Sequence, residues 1–138
     1  MKTIEVVAAV IIYDKEILCM QRGENQHEYL SHKYEFPGGK VEPGESCVDA
    51  LKRELKEEMD IEVNIEEKNF FLTVQHQYPD FGIIMHSYIC NVNKKEFVRK
   101  EHADHVWLTK DKLLTLDWAA ADIPIVKQIV NGEINNEY

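Results

Sequence analysis

Residues 45–59 contain neither glycine nor proline, and Val48, Leu51, Leu55 and Met59 recur there at spacings of three and four. That period predicts an amphipathic helix with these four side chains on its core face. Directly ahead of it stand Gly38 and Gly39, which let a backbone approach another group closely, and Pro43-Gly44, which sets a sharp turn. A helix of this kind needs an apolar surface to pack on. The rest of the chain must supply it.

Strands are the natural source. "TIEVVAAVIIY" at the start is β-branched and almost continuously apolar, as expected of a strand buried on both faces, and "EILCMQR" follows after Asp14-Lys15 as its antiparallel partner. "YEFPGGKVEPGES" is rich in turn formers and predicts a loop with at most a short strand. Residues 61–78 and 82–92 read as two long strands joined by "PDFG", "DHVWLT" as one more, and "KDKLL" as a helical turn. "AADIPIVKQIVNGEI" predicts a terminal helix with Ile125, Val126, Ile129 and Val130 on one side and Gly132 near its end. This order of elements indicates an α+β domain, a layered α/β/α arrangement around a mixed sheet. At 138 residues, 1–138 is expected to form a single domain, and no repeat or linker interrupts it.

Three cysteines, Cys19, Cys47 and Cys90, make an odd number without a C-x-x-C pair, and the N-terminus lacks the sections of a signal peptide. A reducing, cytoplasmic setting is expected. The longest apolar run, residues 6–13, is far short of the roughly 20 residues of a membrane-spanning helix, so no membrane partner is expected. With 25 acids against 16 bases the net charge is −9, which argues against binding a nucleic-acid polymer.

The acidity is not spread evenly. On the predicted helix Glu54, Glu57 and Glu58 fall within an arc of about 100°, beside the apolar arc. A solvated acidic face would look the same, and Lys52, Arg53 and Lys56 could offset the repulsion. A divalent cation would instead turn the repulsion into a gain, and the preceding loop could add a backbone carbonyl. Carboxylate and carbonyl oxygens suit Mg²⁺ or Mn²⁺ better than zinc, and no H-E-x-x-H or Cys/His cluster stands out in the sequence.

Gly39, five residues, Glu45, seven residues, then "RELKEEMDI" from Arg53 to Ile61 resembles the Nudix box, G-x5-E-x7-R-E-U-x-E-E-x-G-U with U aliphatic. Every fixed position matches except Asp60, where the family usually has glycine. That glycine would close the helix in a left-handed conformation, which Asp tolerates better than most residues. "IEVVAAVII", Gln21-Arg22, "YEFPGGKVE", "KEH" at 100–102, "VWL" at 106–108 and "AADIP" at 120–124 extend the similarity to the MutT-like nucleotide pyrophosphohydrolases, above all the cytidine-triphosphate type.

The resemblance implies the Nudix fold and hydrolysis of a nucleoside triphosphate to the monophosphate and pyrophosphate, with 8-oxo-dGTP or cytidine-type triphosphates as substrates and nucleotide-pool sanitisation as the role. It implies Mg²⁺, with Mn²⁺ as a substitute, bound by the Gly38 carbonyl and by Glu54, Glu57, Glu58 and Glu101, while Arg53 and Glu45 orient the cluster. Glu54 or Glu57 would serve as the base. For Glu101 an exposed loop acid is the rival account. Arg22, Phe36 and Asp122 would contact the nucleotide; their plainer roles are a surface ion pair, core packing, and a cap on the terminal helix. The expected assembly is a monomer or homodimer. A non-catalytic nucleotide-binding regulatory module with the same fold is the alternative, although such a module is expected to lose an acid or the arginine of the box.

Overall fold

The computed structural model describes residues 2–132. Seven strands form one sheet: β1 (Thr3–Tyr13), β2 (Glu16–Gln21), β3 (Tyr34–Glu35), β4 (Gly38–Lys40), β5 (Phe70–Gln77), β6 (Gly82–Asn91) and β7 (Asp104–Thr109). The helices α1 (Cys47–Met59) and α2 (Ile123–Val130) lie against it. The central order is β3-β2-β1-β6-β5, with β4 added to β1 and β7 to β2. β1 and β6 run parallel from the Thr3↔Gly82 pair to Ile12↔Asn91, and the other pairings between these strands are antiparallel. The sheet is therefore mixed.

The apolar run of β1 divides by strand alternation between two cores. Val7, Ala9 and Ile11 join Leu51, Leu55 and Met59 of α1, whereas Ala8, Val10 and Ile12 join Ile125, Val126 and Ile129 of α2. The sheet is thus filled on both faces, giving the expected α/β/α sandwich within an α+β fold. Each large aliphatic side chain buried in these layers contributes roughly 1.5–3 kcal/mol, enough to dictate which face of each helix turns inward. Trp118 belongs to the core, where its Nε1 donates to the Leu113 carbonyl at 2.7 Å, and Trp107 packs against the α1 side.

Several predicted boundaries shift. α1 begins at Cys47 because Ser46 caps it, its hydroxyl accepting from the Asp49 amide at 3.0 Å, so Glu45 stands outside the helix. The strand predicted from residue 61 begins only at Phe70. Ile61, Val63 and Ile65 do alternate toward the α1 core, but their backbone joins no strand, and a capped 3-10 turn at Glu67–Asn69 intervenes. The β1–β2 pairing is confined to Ile12↔Ile17 and Tyr13↔Glu16, closed by Asp14 and Lys15 at positive φ. The terminal segment is a 3-10 turn, Ala120–Asp122, followed by α2; residues 133–134 of the predicted helix lie outside the described residues. Among the described residues no helix is long and apolar enough to cross a membrane.

The glycine-bearing loop is held close to the sheet. β4 pairs with Val6–Ala8 of β1, and the Ala9 amide donates to the Pro37 carbonyl at 2.8 Å. A Cβ on Gly38 would stand 1.9 Å from the Val7 carbonyl oxygen, which explains why this position carries no side chain. α1 ends at Asp60 in the left-handed conformation, φ 55° and ψ 40°, with its carboxylate 3.1 Å from Lys56 Nζ. The departure from glycine is thereby accommodated.

Candidate active site

Arg53 organises the site. Its guanidinium has five N–H donors, and each finds an acceptor. Nε donates to Glu45 Oε2 at 2.7 Å, and Nη2 to Glu45 Oε1 and the Lys40 carbonyl, both at 3.0 Å. Nη1 reaches Glu54 Oε1 at 2.9 Å and Glu57 Oε1 at 3.0 Å. One side chain on α1 therefore fixes the preceding loop through Glu45 and Lys40 and orients two acids on its own helix. A fork-to-fork pair such as Arg53–Glu45 defines angle as well as distance. Hydrogen bonds from Arg53, then from the Glu42 turn, hold the Glu45 carboxyl below the usual carboxylate range. Glu45 Oε1 also accepts from the Glu42 amide at 2.9 Å.

The acids beyond Arg53 occupy different surroundings. Glu57 is half exposed, whereas the Glu54 side chain is only 16 % exposed and burial raises its pKa against the opposing pull of Arg53. Glu58 is the extreme case. Burial first, then a hydrogen bond with Glu101 and the nearby carboxylates, push its pKa up to about 9. Two carboxyl groups can share a hydrogen bond only when one keeps its proton. Glu58 Oε2 is nonetheless buried without a hydrogen-bond partner, an arrangement that costs about 1–3 kcal/mol where nothing compensates it. Glu101 comes from the segment between β6 and β7; it is exposed on one side yet engages Glu58 on the other.

Glu54 lies directly against the loop, where a Cβ on Gly39 would come within 2.3 Å of its carboxylate. The two glycines therefore predict different outcomes. Gly39→Ala meets the movable end of a side chain and is expected to lower kcat/KM by about 100-fold through displacement of Glu54, with little change in Tm. Gly38→Ala meets the β1 backbone and is expected to lower stability by roughly 3 kcal/mol. Thermal melts alongside steady-state kinetics separate the two.

A cleft of about 850 Å³ opens beside these groups, lined by Gly38, Gly39, Glu58 and Glu101 and also by Arg22, Phe36 and Asp122. The sequence-predicted residues are thus gathered around one opening, apart from Glu45, Arg53, Glu54 and Glu57, which support it from α1 and the loop. Asp122 is 4 % exposed, and its Oδ2 accepts from the Phe36 amide at 3.0 Å. It stands at the N-cap position of α2, but its side chain makes no cap bond to that helix. Burial first, then Glu35, raise its carboxyl well above the usual range, against the Phe36 amide and Arg22. The Phe36 ring is 3 % exposed and packs on Trp118 with centroids 4.8 Å apart, so most of its surface is committed to the core.

Arg22 is ion-paired, but not idly. Its Nε donates to Glu35 Oε1 at 2.8 Å, and the other oxygen, Oε2, lies 2.8 Å from His102 Nε2. Glu35 and His102, both lining the cleft, were not assigned by the sequence; their only signal was their place within "YEF" and "KEH". Tyr78 was also passed over. Its hydroxyl accepts from the Ala121 amide at 3.0 Å, next to Asp122, and it stacks on Tyr29.

Carboxylate oxygens around the buried, unpartnered Glu58 Oε2 are donors of the kind a hard divalent cation takes, and the cleft next to them has room for a nucleotide. Similarities to known proteins agree with this arrangement. The chain is 39 % identical over 129 residues to the CTP pyrophosphohydrolase of Escherichia coli K12, spanning 92 % of this chain and 91 % of that one. It is 33 % identical over 136 residues to the 8-oxo-dGTP diphosphatase of Haemophilus influenzae, 97 % and 96 % being covered. The solution structure of the E. coli ORF135 protein superposes with a TM-score of 0.81 at 36 % identity, covering 97 % of this chain and 93 % of that one. The NUDIX domain pattern matches residues 3–129, and the chain belongs to the NUDIX domain family.

Proposed function

We propose that this protein is a divalent-cation-dependent pyrophosphohydrolase that cleaves a nucleoside triphosphate to the monophosphate and pyrophosphate, with Mg²⁺ as the ion. The observation that carries the proposal is the Arg53-centred lattice beside Glu58, whose buried Oε2 lacks a partner. A cation held by Glu54, Glu57, Glu58 and Glu101, with the Gly38 carbonyl, would neutralise phosphate charge and acidify a bound water. The chain's own part is positional. Arg53 and Glu45 keep the loop and α1 in register, Glu54 or Glu57 accepts a proton from the attacking water, and the buried wall around Glu58 limits solvent.

Arg22, Phe36 and Asp122 would meet the nucleotide. A buried Asp122 that keeps its proton offers one donor and one acceptor, a pattern that matches the N3 and amino edge of cytosine. The similarity to a CTP pyrophosphohydrolase supports a cytidine-type triphosphate ahead of 8-oxo-dGTP, and a role in clearing surplus or damaged nucleotides in the cytoplasm. The test is a panel of CTP, dCTP, 5-methyl-dCTP, 8-oxo-dGTP and dGTP with Mg²⁺, with products identified. A cytidine-type substrate should give the highest kcat/KM and yield monophosphate with pyrophosphate. Diphosphate with inorganic phosphate, or no turnover of any compound, would refute the assignment.

Asp122→Asn extends the test. Whereas Asp122→Leu, which offers neither group, should change the ratio of kcat/KM between bases by about 10- to 100-fold, asparagine keeps an acceptor for the Phe36 amide and one donor with one acceptor for the base, and should hold that ratio. It should also raise Tm at neutral pH. The folded carboxyl titrates above its unfolded value, so ionisation favours the unfolded chain once the pH exceeds about 4, and asparagine removes that penalty. The gain should vanish as the pH falls toward that value.

A further inference from the structure

Among the described residues, three side chains of metal-ligating type converge away from the cleft, where β1, β6 and α1 meet. Strand alternation puts Glu5 on the same face of β1 as Val7, and His86 on the same face of β6 as Tyr88, the face packed against α1. Both lie where α1 begins, and its first residue is Cys47. One carboxylate oxygen, one imidazole nitrogen and the Cys47 sulfur all come within 4.8 Å of one another. Along α1 this group is two turns from Glu54, roughly 10 Å, and separate from the site described above.

We propose that Glu5, Cys47 and His86 form a binding site for a borderline-soft divalent cation of the zinc class. Sulfur, imidazole and carboxylate donors are the set zinc accepts, whereas Mg²⁺ has no affinity for a thiolate or imidazole that would bring it here. Bond lengths of 2.0–2.3 Å place tetrahedral ligands about 3.3–3.7 Å apart, so rotamer adjustments of about 1 Å close the set around an ion. Glu5 Oε2 is already 2.8 Å from His86 Nε2.

The surroundings favour a ligand over a bystander. His86 Nδ1 is 2.8 Å from Thr73 Oγ1, a bond that fixes the ring and directs Nε2 toward Glu5 and Cys47. With half of the Glu5 side chain exposed, a fourth position faces solvent and can be filled by water. An ion bound here would clip the start of the helix that carries Glu54, Glu57 and Glu58 to two strands of the sheet.

Co²⁺ added to the full chain in excess Mg²⁺ tests this directly. At one equivalent, wild type should show an intense thiolate-to-cobalt charge-transfer band with the visible bands of a tetrahedral ion, and Zn²⁺ should displace both. Cys47→Ser and His86→Ala should each lose the charge-transfer band while keeping Mg²⁺-dependent hydrolysis. Thr73→Val should weaken Zn²⁺ binding by about 10- to 100-fold. Zn²⁺ should raise the Tm of wild type and of Glu57→Gln alike, but not that of Cys47→Ser. Absence of a thiolate band in wild type, its survival in Cys47→Ser, or an equal Tm rise in Cys47→Ser would overturn the proposal and leave Glu5–His86 as a cross-strand ion pair only.

Discussion

Glu58→Gln is expected to abolish most activity while making the metal-free protein more stable. Opposite signs in the two assays follow from one observation, a carboxyl whose Oε2 is buried with no partner and whose pKa burial and Glu101 push up to about 9. In metal-free protein at neutral pH such a group is kept protonated or carries a poorly solvated charge; either is a cost relative to the unfolded chain. Glutamine removes the cost. Because Glu58 is not fully buried, the gain is discounted for solvent screening to about 1–2 kcal/mol. Activity should fall by roughly 1000-fold if Glu58 is the cation ligand proposed above, since such a ligand contributes several kcal/mol to stabilising the transition state. Urea titrations in EDTA, with kcat measured on the same preparations, check both. A variant that lost activity and stability together would show that Glu58 serves packing instead.

Arg53→Ala carries the second large effect. All five guanidinium donors are engaged, so alanine releases the loop at Glu45 and Lys40 and leaves Glu54 and Glu57 unrestrained on α1. Misplacement of catalytic groups by about 1 Å costs about 100-fold, and with two acids affected the loss in kcat should reach 100- to 1000-fold. The side chain is about 30 % exposed, so the stability loss should be near 2 kcal/mol, below the 3–5 kcal/mol of a fully buried pair. Arg53→Lys should recover little of either, because three ammonium donors on a flexible stem cannot reproduce the fork to Glu45 and the bonds to Glu54 and Glu57 together. Rescue by lysine to near wild-type kcat would show that only the charge at position 53 matters.

The parts of this molecule that were legible in its sequence are those where local period and tertiary environment agree. α1 was readable because Val48, Leu51, Leu55 and Met59 all reach the core, and β1 because both of its faces are covered. The segment around Ile61, Val63 and Ile65 shows the opposite. Its alternation correctly marks a buried edge, but alternation does not say whether the backbone finds a strand partner, and here the chain passes over the end of α1 unpaired. Pattern fixes faces; pairing is decided by distant chain.

The site divides in the same way. Glu45, Arg53, Glu54, Glu57 and Glu58 lie within one helix and the loop ahead of it, so their spacing was informative. The contacts of Glu35 with His102 and of Asp122 with Phe36 join residues 67 and 86 positions apart. No spacing rule encodes such contacts. Asp122 was balanced in sequence between a helix cap and a cleft residue, and it combines the two places: it stands at the N-cap position of α2, while its carboxyl turns to the Phe36 amide at the cleft.

The most direct measurement of the central claim is Mg²⁺-dependent pyrophosphate release from CTP by wild type beside Glu57→Gln, with EDTA added and then reversed by excess Mg²⁺. Glu57 is half exposed and bonded only to Arg53 among the described residues, so its substitution should leave the fold intact. The account predicts release that stops in EDTA, returns with Mg²⁺ and is at least about 100-fold slower in Glu57→Gln at unchanged Tm. Release that continued at the wild-type rate in Glu57→Gln, or that ignored EDTA, would contradict it.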